Sequence, residues 1–154
     1  MKNQKEFVYS LFSKKEQKKL WVLPAITTGE IDLDNERVVT WLHPSKHIGY
    51  VIYHSGNDFY GFIMDRLNDK VTSKRVATCD WCLSVNNMSK LTMFSRKVSD
   101  NTSLSIHLCT DLNCLESIKN INPNTMRETL TREQKEQRYF MNLENYIFHN
   151  VLGR

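Results

Sequence analysis

The chain has 154 residues, 40% of them hydrophobic and 25% charged, the proportions of a globular domain large enough to bury a core of its own. No apolar run approaches the roughly 18 residues that would span a bilayer. The net charge of +4, from 21 basic and 17 acidic residues, is a smaller excess than dedicated nucleic-acid binders carry. One domain, residues 1–154, is the expectation from length alone.

The N-terminal stretch MKNQKEFVYSLFSKKEQKK has no apolar segment followed by a small-residue cleavage site. A cytoplasmic location, where thiols stay reduced, is therefore expected. Phe7, Val8, Leu11 and Phe12 recur at spacings of three and four, which predicts a helix. Ser13 and Glu16 form a Ser-x-x-Glu capping box for a second short turn ending near Leu20, and Pro24 is expected to close this helical segment, 1–24.

From Arg37 the period changes. RVVTWLH, IGYVIYH and FYGFIMDRL are rich in β-branched and aromatic residues and are separated by HPSKH and HSGND, so 37–72 is expected to form antiparallel strands. The SGND turn signal makes Gly49 to Leu67 a hairpin. Trp21 and Trp41 sit beside apolar runs and are expected in the core.

NDKVTSKRVAT leads into the next segment, 76–122. LTMFSRK and SLSIHLC predict a second hairpin around SDNTS, in which Leu104, Ile106 and Leu108 alternate with Ser103, Ser105 and His107. His107 thus faces away from the apolar row. Pro123 ends whatever helix follows Cys114. Thr131 with Gln134 begins a terminal helix within 125–152, carrying an apolar stripe of Phe140, Leu143, Ile147 and Val151 and stopped by Gly153.

The four cysteines fall in two close pairs, Cys79-x2-Cys82 and Cys109-x4-Cys114, separated by 26 residues. Four ordinary small apolar residues or a redox Cys-x-x-Cys are the alternatives. A redox pair would leave Cys109 and Cys114 unexplained, and Leu83 onward reads extended where such a motif opens a helix. Zinc takes four soft or borderline ligands in a tetrahedron, and a two-residue gap lets a tight knuckle bring two sulfurs onto one ion. Cys109 would end a strand, Thr110 or Asp111 would cap a helix, and Cys114 would lie in its first turn, where the helix dipole favours thiolate charge. A knuckle, a hairpin and a helix start describe a treble-clef zinc finger.

Four thiolates leave no open position on the metal, so one structural zinc is expected, holding hairpin and helix in place. Four negative charges and two positive would lower the net charge from +4 to about +2. No Gly-x-Gly-x-x-Gly, Walker loop, His-Glu-x-x-His or Gly-x-Ser-x-Gly motif is present. His43 and His47 flank Pro44 in a turn, and His54, His149, Asp65, Asp69 and Glu128 lack a partner at defined spacing, so no enzyme is expected. Trp81 lies between two ligands and serves either as an exposed aromatic contact or as packing against the hairpin.

With the cysteines placed, the chain resembles the FBP domain family, the C-terminal treble-clef zinc-finger region of the FusB-type fusidic-acid-resistance proteins that bind elongation factor G. WLHPSKHIGYVIY, CDWCLSV followed by LTMFSRK, IHLCTDLNCLESI and MRETLTREQKEQRYFMNLENYIFHNVL resemble its blocks in the same order, the last being a Met-Arg-Glu-Thr turn and a capped helix bearing an Arg and an Asn. Together they cover most of residues 7 to 152. The resemblance implies an α+β fold: a small antiparallel sheet, a four-cysteine treble clef, short N-terminal helices and a C-terminal helix.

It also implies Cys79, Cys82, Cys109 and Cys114 as zinc ligands, and a partner-binding surface including Thr78, Arg96, Lys97, Leu104, His107 and Phe148. The partner it implies is elongation factor G, which such proteins help free from a stalled ribosome. The chain departs from the family pattern at His107, where an aromatic residue is usual two before the third cysteine, and at Thr78. No counterpart of the separate N-terminal helical domain of two-domain members is expected, and a monomer is expected.

Direct RNA binding is a second class. An exposed knuckle aromatic could stack on bases, and Arg96, Lys97, Arg127, Arg132, Lys135 and Arg138 could meet phosphates. Against this, Lys135 and Arg138 alternate with Glu133 and Glu136, the pattern of a self-paired helix face.

Overall fold

A computed structural model describes residues 4–67, 76–83, 85–87, 91–119 and 130–152. Two compact units divide between Met64 and Asp65. Five antiparallel strands form one sheet in the order β1-β2-β3-β6-β7, and β4 and β5 make a separate two-stranded ribbon.

The first unit begins with three short helices, α1 (Gln4–Ser10), α2 (Lys14–Gln17) and α3 (Pro24–Thr27). Ser13 caps α2 by accepting the Glu16 N–H at 3.2 Å. The Glu16 carboxylate takes the Ser13 hydroxyl at 3.0 Å and also receives the Ile63 N–H at 2.8 Å, so this cap residue ties the helix to a strand as well as to itself. Pro24 opens α3 at its first position instead of closing the segment. Its missing N–H costs nothing there, because the first helical N–H groups have no intrahelical acceptor.

β1 (Val38–Leu42) pairs with β2 (Ile48–Ser55), with Trp41 opposite Tyr50. Gly56, at φ +61°, supplies the left-handed turn into β3 (Asp58–Arg66). The two rings of Trp41 and Tyr50 stack at 5.3 Å. The Trp41 indole donates to the Trp21 carbonyl at 2.8 Å, and the Tyr50 hydroxyl receives the Trp21 N–H at 3.2 Å. These polar tips let aromatic bodies enter a core of Val8, Phe12, Ile26, Leu33 and Ile52 without stranding a hydrogen bond. Trp41 lies in that core and Trp21 packs, half-buried, against it. His43 bonds locally, its Nδ1 2.9 Å from the Ser45 hydroxyl.

In the second unit the end of β3 pairs with β6 (Leu91–Ser99), and β6 pairs with β7 (Thr102–Cys109). Phe94 stands opposite Ile106 and Arg96 opposite Leu104, while Met93 faces His107 and Lys97 faces Ser103. The predicted alternation therefore holds: Leu108 is buried, and Ser103 and Ser105 are exposed. β4 (Val76–Thr78) and β5 (Val85–Asn87) flank the first cysteine pair.

α4 (Cys114–Lys119) follows the second pair, and α5 (Arg132–Tyr146) runs into a π-helical turn, Ile147–Val151. The capping box of Thr131 and Gln134 is present with both of its bonds. The buried face of α5 is Tyr139, Leu143 and Tyr146, continued by Ile147, and Phe140 and Val151 are only half-buried. No described helix is long and apolar enough to cross a membrane. Asp69, Pro123, Arg127, Glu128 and Gly153 lie outside the described residues.

Candidate metal centre

Two tight backbone turns present the four sulfurs. In the first, the Leu83 N–H returns to the Cys79 carbonyl at 2.9 Å, closing the knuckle that carries Cys79 and Cys82. In the second, the Leu112 N–H returns to the Cys109 carbonyl at 2.9 Å, just beyond the end of β7. Leu83 and Leu112 both take left-handed backbone, at φ +59° and +57°. That conformation costs a non-glycine residue on the order of 1 kcal/mol, so surrounding structure over-determines it at both turns.

The second turn corrects the expected cap. Asn113, not Thr110 or Asp111, sits at the helix entrance, its carbonyl receiving the Ser117 N–H at 3.0 Å, and Cys114 is the first residue of α4. Thr110 to Leu112 are consumed by the reversal that turns the chain from strand to helix.

Cys79 Sγ lies 3.6 Å from Cys114 Sγ, and Cys82 Sγ lies 3.6 Å from Cys109 Sγ. All four sulfurs fall within 4.8 Å of one another. A tetrahedral zinc with Zn–S bonds of about 2.3 Å spaces its sulfurs about 3.8 Å apart. A disulfide would need about 2.05 Å, and all four cysteines are free. Each of the two 3.6 Å contacts joins one sulfur from each turn.

The four side chains are no more than 2% exposed. Thiols packed this closely share protons. Hydrogen bonding with Cys109 pushes the Cys79 and Cys114 thiols up, and burial adds to it; Cys109, accepting from Cys114 and Cys79, is drawn down. One zinc ion held by four thiolates replaces those shared protons with a single divalent charge. The residues present fit the metal, and four sulfurs complete its shell, which leaves no position for an activated water.

Several groups outside the ligand set hold this geometry. The Ser117 hydroxyl is 3.7 Å from Cys109 Sγ. Asp80 and His107 exchange two backbone-anchored bonds between the knuckle and β7. From α5, Arg138 donates to the Cys82 carbonyl at 3.2 Å and Asn142 to the Trp81 carbonyl at 2.9 Å. Tyr139 is buried beside the cluster, and burial followed by the charge of Cys114 and its neighbours pushes its hydroxyl well up.

The turns, the sulfur tetrahedron and the helix start are those of a treble clef, and residues 8–149 match the FBP C-terminal treble-clef zinc-finger family. The chain belongs to that family. All four clustered cysteines lie inside the matched span. Among solved structures, that of the fusidic acid resistance protein FusC is similar in fold, with a TM-score of 0.51 at 16% identity, covering 88% of this chain and 54% of FusC. The chain thus spans about half the length of FusC. No curated protein matches the sequence.

Within this family frame the other expected site residues scatter. Thr78 is exposed at the end of β4, next to the first ligand. Arg96 and Leu104 are cross-strand partners and share one face of the β6–β7 hairpin, whereas Lys97 and His107 belong to the other. Phe148, 44% exposed, lies in the π-helical turn. Trp81 is 2% exposed, with its ring 5.5 Å from that of Tyr146 at the end of α5. Its indole is therefore not a surface for a partner or a base.

Sequence reasoning missed Asp80, Ser117, Tyr139 and Asn142 as supports of the centre. The i, i+4, i+8 spacing of Arg138, Asn142 and Tyr146 was the available signal, since it places all three on one helix face.

Proposed function

We propose that this protein is a non-catalytic binding module of the translation machinery, with elongation factor G as its partner, and that docking favours release of the factor from the ribosome as in fusidic acid resistance. The observation that carries this reading is the family match over residues 8–149 together with the convergence of all four cysteines within it. A closed, buried four-cysteine centre suits a rigid docking element and not a reaction, because zinc with four thiolates has no site for substrate or water. The likeness in fold to FusC is in keeping with this.

The docking surface is formed by Thr78, Arg96, Lys97, Leu104, His107 and Phe148. Its two hairpin faces imply that the partner straddles the β6–β7 hairpin instead of lying flat on one side of it. Recognition of RNA phosphates draws no support from α5. Arg132 is paired with Glu136 at 3.2 Å, and Arg138 is turned inward to the knuckle.

Size-exclusion co-elution of the zinc-loaded protein with elongation factor G of the same organism, at low and high salt, tests the proposal. A one-to-one complex that survives high salt supports it, since an interface centred on apolar contacts responds weakly to salt. The absence of a complex at either salt concentration overturns it. Binding to ribosomal RNA that collapses steeply with salt would point to phosphate contacts instead.

A further inference from the structure

We infer that Arg138 and Asn142 are positioning residues of the zinc centre, a two-pronged clamp through which helix α5 controls how fast the metal is lost. The inference is independent of the partner: it rests on the zinc centre alone and holds whatever the finger docks on.

The knuckle between β4 and β5 makes its metal-ligating turn outside the strand ladder, whose last pair is Thr78 with Val85. Its carbonyls at Trp81 and Cys82 therefore point to partners other than a neighbouring strand. Asn142 Nδ2 takes the first at 2.9 Å and Arg138 Nη2 the second at 3.2 Å. Arg138, Asn142 and Tyr146 lie on successive turns of one helix face, and Tyr146 receives the Trp81 ring edge-on at 5.5 Å. One helix stripe thus engages both residues that follow Asp80 in the knuckle.

The clamp also acts on the turn itself. The Cys82 carbonyl and the Leu83 N–H belong to the same peptide group, and that N–H closes the knuckle onto the Cys79 carbonyl at 2.9 Å. A donor on one end of a peptide polarises the other, so the Arg138 bond strengthens the closing bond. Leu83 needs that support because it holds left-handed backbone at φ +59°. The guanidinium further brings a positive charge to a centre that is formally 2− when four thiolates hold one zinc. Loss of either prong frees the knuckle to open, and opening is the step by which a closed thiolate site releases its ion.

The test uses the full zinc-loaded chain and reads zinc transfer to a chromogenic chelator over time. Asn142→Leu and Arg138→Met remove the donors while keeping the side-chain volume. Each is expected to release zinc about ten- to a hundredfold faster, the range seen when groups supporting metal ligands are lost. Arg138→Lys, which restores a charge and a donor, should recover part of the difference.

Gln137→Gly, at an exposed position of α5, weakens the helix without touching the knuckle. It should lower the thermal midpoint yet release zinc at close to the wild-type rate. The inference is overturned if both donor deletions release zinc at the wild-type rate. It is equally overturned if Gln137→Gly speeds release as much as they do for the same loss of thermal stability, because helix docking alone would then account for retention. Should one deletion fail to fold, the other decides in comparison with the wild type and Gln137→Gly: zinc release at the wild-type rate from the deletion that folds overturns the clamp.

Discussion

Asp80 and His107 are joined by a reciprocal pair of hydrogen bonds. The Asp80 N–H donates to the His107 carbonyl at 2.8 Å, and the His107 N–H donates to the Asp80 carboxylate at 2.8 Å. Twenty-seven residues apart in sequence, they lock the knuckle against β7 and so hold the two cysteine pairs in register. Asp80→Ala deletes one of the two bonds and leaves a strand N–H without its acceptor. The expected cost is about 1–2 kcal/mol, a fall of roughly 3–6 °C in thermal midpoint for a chain of this size, with zinc stoichiometry unchanged. Loss of zinc from this variant would show that Asp80 supports the ligands directly and not only the strand.

Removing a ligand has a larger effect. Zinc binding supplies on the order of 10 kcal/mol of folding free energy in small thiolate sites. Cys79→Ser is therefore expected to release zinc and unfold the two metal-binding turns, read by elemental analysis and by loss of amide dispersion over residues 79–83 and 109–119. A variant that keeps one zinc per chain would defeat the ligand assignment.

Metal affinity is expected to fall as pH falls. Zinc needs four thiolates, and protons compete for the same four sulfurs, Cys79, Cys82, Cys109 and Cys114. Stability contributed by the metal is thus present at neutral and higher pH and is lost on acidification. Zinc transfer to a chelator should accelerate from pH 7.5 to about 5. A flat profile over that range would argue against an all-thiolate site.

Alkali should attack a different group. Burial pushes the Tyr146 hydroxyl from 10.0 up to about 12, against a smaller downward pull from Arg96. A folded-state value above the unfolded one favours the protonated form in the fold. Its stabilisation is full below pH 10 and is lost as pH rises through about 12, by roughly 3 kcal/mol. Tyr146→Phe cannot ionise, so its denaturant midpoint should decline less between pH 10 and 12 than that of the wild type. Parallel decline in both proteins would assign alkaline unfolding elsewhere.

The first unit offers a packing test at Gly61. A Cβ there would stand 3.1 Å from Leu11 Cβ, from the Leu11 carbonyl oxygen and from Phe12 Cε2. Gly61→Ala must push backbone as well as side chains, and a destabilisation of about 1–3 kcal/mol is expected. Gly56→Ala meets nothing within 4 Å but must hold φ +61°, so its cost of about 1 kcal/mol comes from backbone conformation alone. Urea midpoints of the two variants separate the causes, and a neutral Gly61→Ala would mean that the Leu11 segment yields freely.

Much of the architecture was legible because it is set by short-range rules. The alternation of Leu104, Ile106 and Leu108 with polar residues follows from the two-residue period of a strand. The cap at Thr131 follows from one side chain reaching three residues along its own chain. The cysteine spacings determined the metal, because a two-residue knuckle and a strand-to-helix turn can each deliver two sulfurs to one point.

The tertiary structure alone decided what surrounds those sulfurs. Pro24, expected to close a segment, opens a helix, and Trp81, for which the sequence leaves exposure or packing against the hairpin open, meets Tyr146. Arg138 read as a surface charge, yet it reaches Cys82 across 56 residues, and Asn142 reaches Trp81 across 61. Periodicity speaks only for neighbours a few residues apart. Which carbonyl a distant guanidinium meets depends on how a whole helix docks, and docking is set by the summed burial of Tyr139, Leu143, Tyr146 and Ile147, not by any local pattern at the residues it brings together.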